Sequence, residues 1–297
     1  MRVTDRVQAT LMHASARWTV RYGEELRFAG SDLPAPVKRT VPTRHGKVGI
    51  QVYRDPGWPE GERPVYVHFH GGAWLMRYPE MDDFWCRYVV AEAGAVVVNV
   101  DFHVGPYVAY PVAQEECHDV VAWLADRGGE IGVDPERIAV GGFSSGGGLA
   151  ASVCLQAHDS GRFRPRLQLL GVPALDLATD VSAAGGMISP QLRGLVRRVY
   201  FPHPATRAEP YASPVLAPDL SGLPPAVVLT AERDSLRPDG ERYAERLLAA
   251  GVPVTYDMTP GGEHYFLSSD LVRARTTMAM MAEQIASACL ETPPPDD

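Results

Sequence analysis

Short apolar runs alternate with longer amphipathic segments along most of this chain, and no other feature of the sequence constrains its fold as strongly. Six runs rich in β-branched residues predict strands: Val65–Phe69, Ala95–Val100, Arg137–Gly142, Leu167–Val172, Ala226–Ala231 and Val254–Met258. Five segments with helical periodicity lie between or after them: Asp82–Glu92, Val112–Ala125, Ser145–Ala157, Gly240–Ala249 and Asp270–Ala288. Because the apolar runs are nearly continuous, we expect both faces of the sheet to be buried. The alternation predicts an α/β fold, with a mostly parallel central sheet flanked by helices and an antiparallel hairpin in residues 41–54 at its edge.

Two segments outside this alternation predict additional helices. In residues 1–30, one helical face carries Val7, Leu11, Ala14 and Trp18. In residues 178–212, Ser189 followed by Pro190 predicts a helix start. The apolar stripe of that helix is formed by Leu192, Leu195, Val196, Val199 and Tyr200. Its opposite face is basic and is formed by Arg193, Arg197 and Arg198. The two helical segments either pack on the sheet or form a cap over the ends of its strands.

Composition argues against several classes of partner. The 297 residues are 45% hydrophobic, enough for a large core, and carry a net charge of -8. Nucleic acids and anionic membranes bind basic surfaces, so we expect neither as a partner. No phosphate-binding glycine motif and no apolar run of membrane-spanning length occurs. The N-terminus has no apolar signal-peptide core and the four cysteines have no C-x-x-C spacing, so we expect buried reduced thiols in a cytoplasmic protein.

A glycine-rich stretch, IAVGGFSSGGGLAASV (residues 138–153), follows one predicted strand and opens a predicted helix. It contains the pattern G-x-S-x-G, typical of a nucleophile elbow in which a serine occupies a sharp strand-to-helix turn. Gly142 and Gly146 flank Ser144 at the two crowded positions, whereas a frame centred on Ser145 requires Phe143 at one of them. The sequence therefore predicts Ser144 as the nucleophile. The backbone N–H of Ser145 opens the helix and is predicted to donate to a developing oxyanion.

A second loop of small residues, HFHGGAW (residues 68–74), follows another predicted strand. Such a loop can turn backbone N–H groups inward as further oxyanion donors. His68 and His70 are two residues apart, so a metal site is an alternative, but no carboxylate or third histidine follows at a ligand spacing. We expect His70 to brace the loop by hydrogen bonds, and we expect no metal and no organic cofactor.

An activated serine requires an imidazole beside it and a carboxylate that orients the imidazole. Asp234 follows one late strand, and His264 lies in a glycine-containing loop after the next strand. The order Ser144, Asp234, His264 is that of the α/β-hydrolases. Glu232 is a rival for the acid, and Asp239 is interpreted as the N-cap of a helix.

With these motifs the chain resembles the hormone-sensitive lipase family of α/β-hydrolases, the family IV bacterial esterases, over about residues 63–288. HFHGGAW is similar to the family's H-G-G-G loop and GFSSGGGLA to its G-D-S-A-G-G-N-L-A elbow. The segments that begin at Asp101 and Tyr211, and the segment GGEHYF, resemble its D-Y-R-L-A-P-E, S-P with D-P-L-R, and H-G-F motifs. The resemblance implies an α/β-hydrolase fold with a helical cap. It also implies the catalytic triad Ser144, Asp234 and His264 and the oxyanion donors Gly72, Ala73 and Ser145.

Four residues depart from the family pattern. Ala73 replaces the third glycine of the loop, and Phe143 replaces the aspartate before the nucleophile. Tyr107 stands in place of the glutamate of L-A-P-E, and Tyr265 in place of the glycine after the base. We expect these changes to affect which substrate is bound more than the catalytic mechanism.

We interpret the chain as a single domain, residues 1–297, with a catalytic core at about 40–177 and 213–290 and a cap at about 1–30 and 178–212. The expected activity is that of a serine carboxylesterase, which cleaves esters of small or hydrophobic acyl groups through an acyl-enzyme. The same triad is compatible with deacetylation, acyl transfer or N-formyl amide cleavage on a specialised metabolite, and the fold with a non-catalytic ligand-binding protein. The expected partner is a small-molecule ester or amide; a homodimer is compatible with the sequence.

Overall fold

A single mixed sheet organises the molecule. The computed structural model describes residues 2–20, 24–179 and 187–290. Its strands are β1 (Val37–Thr43), β2 (Gly46–Tyr53), β3 (Arg63–Phe69), β4 (Val96–Asp101), β5 (Val133–Phe143), β6 (Leu167–Gly171), β7 (Ala226–Ala231) and β8 (Val254–Thr259). They lie in the order β1-β2-β4-β3-β5-β6-β7-β8; β2 pairs antiparallel with β1 and β4, and the other pairs are parallel. The six predicted strands and the edge hairpin are confirmed.

Helices cover both faces of this sheet. The helices of the described ranges are α1 (Val3–Thr19), α2 (Asp83–Ala93), α3 (Val112–Arg127), α4 (Ser145–Ser160), α5 (Pro190–Val199), α6 (Arg237–Ala249), α7 (Phe266–Ser269) and α8 (Leu271–Leu290). Successive residues of β3 point to opposite faces, as the period of a strand requires: Val65 and Val67 join the core under α3 and α4, and Tyr66 joins the core under α2 and α8. Both faces are buried, as the continuous apolar runs predict.

The helix α6 begins at Arg237, three residues before its predicted start at Gly240. Pro238 explains the difference, because its fixed φ favours the first turn of a helix and its missing N–H costs no hydrogen bond there. Asp239 therefore lies inside the first turn, and Leu236 is the N-cap residue. The interpretation of Asp239 as an N-cap was wrong.

The helix α1 packs against α5. Its buried residues include Ala9 and Ala16, and the half-exposed Arg198 of α5 pairs with the buried Asp5 at 3.1 Å. The predicted apolar face of α1 instead points to solvent, with Leu11 64% and Trp18 57% exposed. The periodicity correctly predicts a helix, but the buried side of α1 carries Asp5, Ala9 and Ala16 rather than the large residues of the stripe.

Residues 1, 21–23 and 180–186, which fall within the predicted cap segments, lie outside the described residues, as do residues 291–297. In the described ranges the apolar stripe of α5 is buried, as predicted, at Leu195, Val196 and Val199. The four cysteine thiols are buried as well. Among the described helices we find none that combines the length and the apolar composition of a membrane crossing.

Candidate active site

The elbow after β5 holds Ser144 in a strained conformation. Its φ of 57° and ψ of -118° lie outside the ordinary regions for a residue with a side chain. The backbone around it is fixed by hydrogen bonds: the Ser144 N–H donates to the Gly171 carbonyl at 2.8 Å, and the Ser144 carbonyl accepts from the N–H groups of Gly148 and Ala174, each at 3.1 Å. Strain of this kind, held by surrounding structure, is typical of functional sites.

The glycines around Ser144 allow the elbow to lie against the end of β3. A Cβ added at Gly146 would lie 2.6 Å from the carbonyl carbon of Phe69 and 2.8 Å from the His70 carbonyl oxygen. A Cβ at Gly142 would lie 2.7 Å from the carbonyl carbon of Gly146. All three contacts are shorter than a side chain tolerates. The crowding at Gly142 and Gly146 therefore agrees with Ser144 as the central serine of the G-x-S-x-G motif.

The loop after β3 also adopts left-handed backbone conformations, with φ of 112° at Gly72, 56° at Ala73 and 52° at Trp74. The N–H groups of Leu75 and Met76 close the turn by donating to the Gly72 carbonyl at 3.0 and 2.9 Å. Within the ranges that the structure describes, the N–H groups predicted as oxyanion donors take part in no hydrogen bond; they belong to Gly72, Ala73 and Ser145.

His70 braces this loop, as predicted. Its Nδ1–H donates to the neighbouring Gly71 carbonyl at 2.7 Å, and its ring stacks on Phe102 at 4.3 Å between centroids. Burial lowers the pKa of His70, so the ring is neutral at pH 7. His68 has separate partners: the Asp82 carboxylate at 2.9 Å and the Tyr66 hydroxyl at 3.2 Å. Each of the two imidazoles is thus used in a different hydrogen-bonded contact.

Asp234 and His264 meet beyond the carboxyl ends of β7 and β8. The Nδ1 of His264 lies 2.7 Å from Oδ2 of Asp234, and both side chains are buried. The other carboxylate oxygen of Asp234 accepts the Leu236 N–H at 3.1 Å, which fixes the plane of the carboxylate. Because an ionised carboxylate only accepts hydrogen bonds, Nδ1 carries the proton and Nε2 keeps its lone pair. The rival acid Glu232 instead accepts the Gly261 N–H at 2.5 Å.

Asp239 is a buried carboxyl that the sequence did not connect with the site. It accepts the N–H groups of Leu175 and Asp176, at 3.3 and 3.1 Å, and so holds the loop after β6. Burial raises the pKa of Asp239 to about 6, although the nearby charge of Arg193 opposes this shift. Asp239 lies just after the segment that resembles D-P-L-R, but the motif does not reveal its partners; the three-dimensional contacts show that it holds the loop after β6.

A cavity that is partly open to solvent lies above Ser144. The elbow and the loop after β3 form one wall through Ser144 and Trp74, and α5 forms another. Besides Leu192 and Val196, two basic residues of α5, Arg193 and Arg197, line this cavity. Their prediction as the opposite face of the helix therefore holds only for Arg198, which is exposed. Helical periodicity predicts an apolar stripe and a basic face for α5. It does not show which residues beside the stripe line a cavity.

The departures from the family pattern have visible consequences. The buried ring of Phe143 lies 5.6 Å from the ring of His68, measured between centroids, where the family pattern has a carboxylate. Tyr107 is exposed, and its ring contacts His13 of α1 edge-on at 5.1 Å. Tyr265 lies beside His264 and helps to line a second, smaller cavity. These aromatic residues thus shape the surroundings of the site.

Comparisons with known proteins agree with this geometry. A family model described as the alpha/beta hydrolase fold matches residues 66–268. An arylesterase from Saccharolobus solfataricus is 35% identical over 73% of this chain and 73% of its own length. The carboxylesterase NlhH of Mycobacterium tuberculosis is 35% identical over 76% of this chain and 73% of its own length. The structure of an esterase from Pyrobaculum calidifontis aligns with a TM-score of 0.83 at 32% identity, over 97% of this chain and 94% of that one.

Proposed function

The chain belongs to the α/β-hydrolase fold family, within its hormone-sensitive lipase-like esterases, and we propose that Ser144, His264 and Asp234 are the catalytic triad with which it hydrolyses carboxylic esters. The observation that carries this assignment is the buried 2.7 Å hydrogen bond between His264 and Asp234. A non-catalytic binding protein has no need of a buried imidazole oriented by a carboxylate, nor of a serine held in a strained backbone conformation.

In the proposed reaction, Ser144 Oγ attacks the ester carbonyl while His264 Nε2 accepts its proton. Asp234 stabilises the imidazolium that forms, since its carboxylate holds the Nδ1–H. The charge on the former carbonyl oxygen is met by the N–H groups predicted as donors, those of Gly72, Ala73 and Ser145. The imidazolium then protonates the departing alkoxide, which leaves an acyl-enzyme on Ser144. Water, activated by the same imidazole, releases the acid and restores the serine.

Kinetics of a matched serine pair test this assignment. Ser144→Ala removes the nucleophile, and loss of the serine from the subtilisin triad lowers kcat by about 10⁶. Ser145→Ala keeps the backbone donor, so we expect most of the activity to remain. His264→Gln is expected to be inactive. The substrates are p-nitrophenyl esters of increasing acyl length, with circular dichroism as the folding control. If Ser145→Ala were inactive and Ser144→Ala active, the assignment of Ser144 as the nucleophile of the elbow would be rejected.

We propose further that α1 and α5 belong to a cap over the cavity, and that its apolar wall accepts small or hydrophobic acyl groups. The packing of α1 on α5 and the presence of Leu192 and Val196 in the wall support this proposal. Product analysis in water with a competing alcohol separates hydrolysis from acyl transfer. N-formyl and acetylated aromatic substrates test the amide and deacetylase alternatives. Homodimerisation and a cytoplasmic location stay predictions; light scattering coupled to size-exclusion chromatography tests the former.

A further inference from the structure

The cavity above Ser144 combines an apolar wall with cationic side chains. Leu177, Leu192 and Val196 supply apolar surface, while Arg193 and Arg197 bring two guanidinium groups into the same wall. The two arginines are four residues apart on α5, so they lie one above the other on one side of the helix. The carboxylate residue Asp176 lines the same cavity, so an ester substrate there meets one anionic and two cationic side chains as well as hydrocarbon.

The charge of Arg193 is only partly engaged by the protein. Its Nη1 donates one long hydrogen bond, 3.4 Å, to the uncharged carbonyl of Ser235. The carboxylate of Asp176 accepts from two backbone amides, a threonine hydroxyl and Arg242. Asp239 accepts from two further backbone amides. In the described ranges, neither carboxylate forms an ion pair with Arg193, although the charge of Arg193 acts on the nearby Asp239 carboxyl.

A guanidinium has five N–H donors in a planar fork that matches a carboxylate. Arg193 uses one of these donors in a weak contact and is half-buried, where a charged hydrogen bond is screened less than at an open surface. Arg197, which donates to the Thr179 carbonyl, adds a second positive charge at the same wall. The wall is thus suited to hold one anionic group of a bound substrate.

We propose that the preferred esters of this enzyme carry a carboxylate on a short apolar spacer, and that Arg193 binds this carboxylate while Ser144 attacks the ester carbonyl. The proposal rests on the function proposed above and adds the substrate class. The carboxylate lies either on the acyl half or on the alcohol half of the ester; in both cases the recognition chemistry is the same. Charge-assisted hydrogen bonds of this kind correspond to about 10- to 100-fold in kcat/KM.

Two pairs of esters, followed by titration of the released acid, test the proposal. For the acyl half, monoethyl adipate is compared with ethyl 6-amino-6-oxohexanoate, its neutral amide counterpart. For the alcohol half, 4-acetoxybutanoate is compared with 4-acetoxybutanamide. We expect the wild-type enzyme to prefer the carboxylate in one pair by about 10-fold or more in kcat/KM.

Three variants separate recognition from structure. Arg193→Met removes the charge but keeps bulk, and we expect it to abolish the preference for the carboxylate through a higher KM. Arg193→Lys is expected to restore part of the preference, and Arg39→Met, which removes an equal charge from the exposed strand β1, to leave it intact.

Several results would overturn the proposal. One is a wild-type preference for the amide in both pairs. Another is a carboxylate preference that survives in Arg193→Met. A third is an equal loss of kcat/KM on the carboxylate and the amide esters in that variant, which would indicate that Arg193 has a structural role. Failure of the wild-type enzyme on all four esters and on p-nitrophenyl acetate would instead reject the proposed esterase function itself.

Discussion

Gly146→Ala tests whether the elbow depends on backbone contact with the end of β3. The added Cβ would lie 2.6 Å from the carbonyl carbon of Phe69, and the carbonyl oxygen of Phe69 is closer still. An ordinary contact begins near about 3.4 Å, so the closer carbonyl oxygen requires the two segments to separate by more than about 1 Å. The chain from Phe69 leads directly into the loop of Gly72 and Ala73, which makes this shift a displacement of the predicted oxyanion donors.

A misplacement of about 1 Å can lower kcat about 10²-fold, because the reacting groups lose their alignment. We therefore expect Gly146→Ala to lose about that factor in kcat on p-nitrophenyl acetate. Its melting temperature is also expected to fall, since a backbone contact cannot relax as a flexible side chain does.

Gly161→Ala is the matched control on the same helix. Gly161 ends α4 with φ of 62°, and an added Cβ there meets no atom within 4 Å. The substitution costs stability, about 1 kcal/mol, through the left-handed backbone alone. We expect its kcat to stay near that of the wild type, measured well below both melting temperatures. A folded Gly146→Ala enzyme with the kcat of Gly161→Ala would refute the argument that close packing of the elbow positions the site.

Two further predictions concern backbone strain and a buried charge. Ala73→Gly should keep kcat within a few-fold and match or exceed the wild-type melting temperature, because glycine adopts the φ of 56° at Ala73 without strain; a large loss of kcat would show that the methyl group is needed. The ionised form of Asp239 disfavours folding, since burial raises its pKa from 3.8 to about 6. Stability from the protonated form is therefore lost as pH rises: between pH 5 and pH 7.5 the wild type should lose about 1 kcal/mol more than Asp239→Asn in urea unfolding. Parallel pH dependence of the two proteins would contradict this account.

The sequence predicted the sheet well because its strands are buried on both faces. Each predicted strand matches an observed one within a few residues, since a continuous β-branched run such as Ala226–Ala231 has no other stable environment in a chain of this size. The pairing of His264 with Asp234 was also predictable. Both residues follow parallel strands that are neighbours in the sheet, and the carboxyl ends of such strands lie together.

Features that depend on how helices meet the rest of the molecule were not predictable. The apolar stripe of α1 gave no indication that Ala9 and Ala16 would form its buried face. Nor did the pattern of α5 show that Arg193 would face a cavity, because helical periodicity defines faces but not their neighbours. Asp239 is a similar case: its partners are backbone N–H groups more than sixty residues earlier in the chain.

Covalent labelling tests the identity of the nucleophile most directly. The enzyme is incubated with a p-nitrophenyl alkylphosphonate, whose phosphorus is attacked by an activated serine with loss of p-nitrophenolate, and the labelled peptide is sequenced by mass spectrometry. We predict one adduct, on Ser144, in the wild type and in Ser145→Ala. The rate of labelling should fall sharply in His264→Gln, because the imidazole removes the proton from the attacking hydroxyl. An adduct on Ser145, or labelling at Ser144 that is as fast without His264, would contradict the proposed triad.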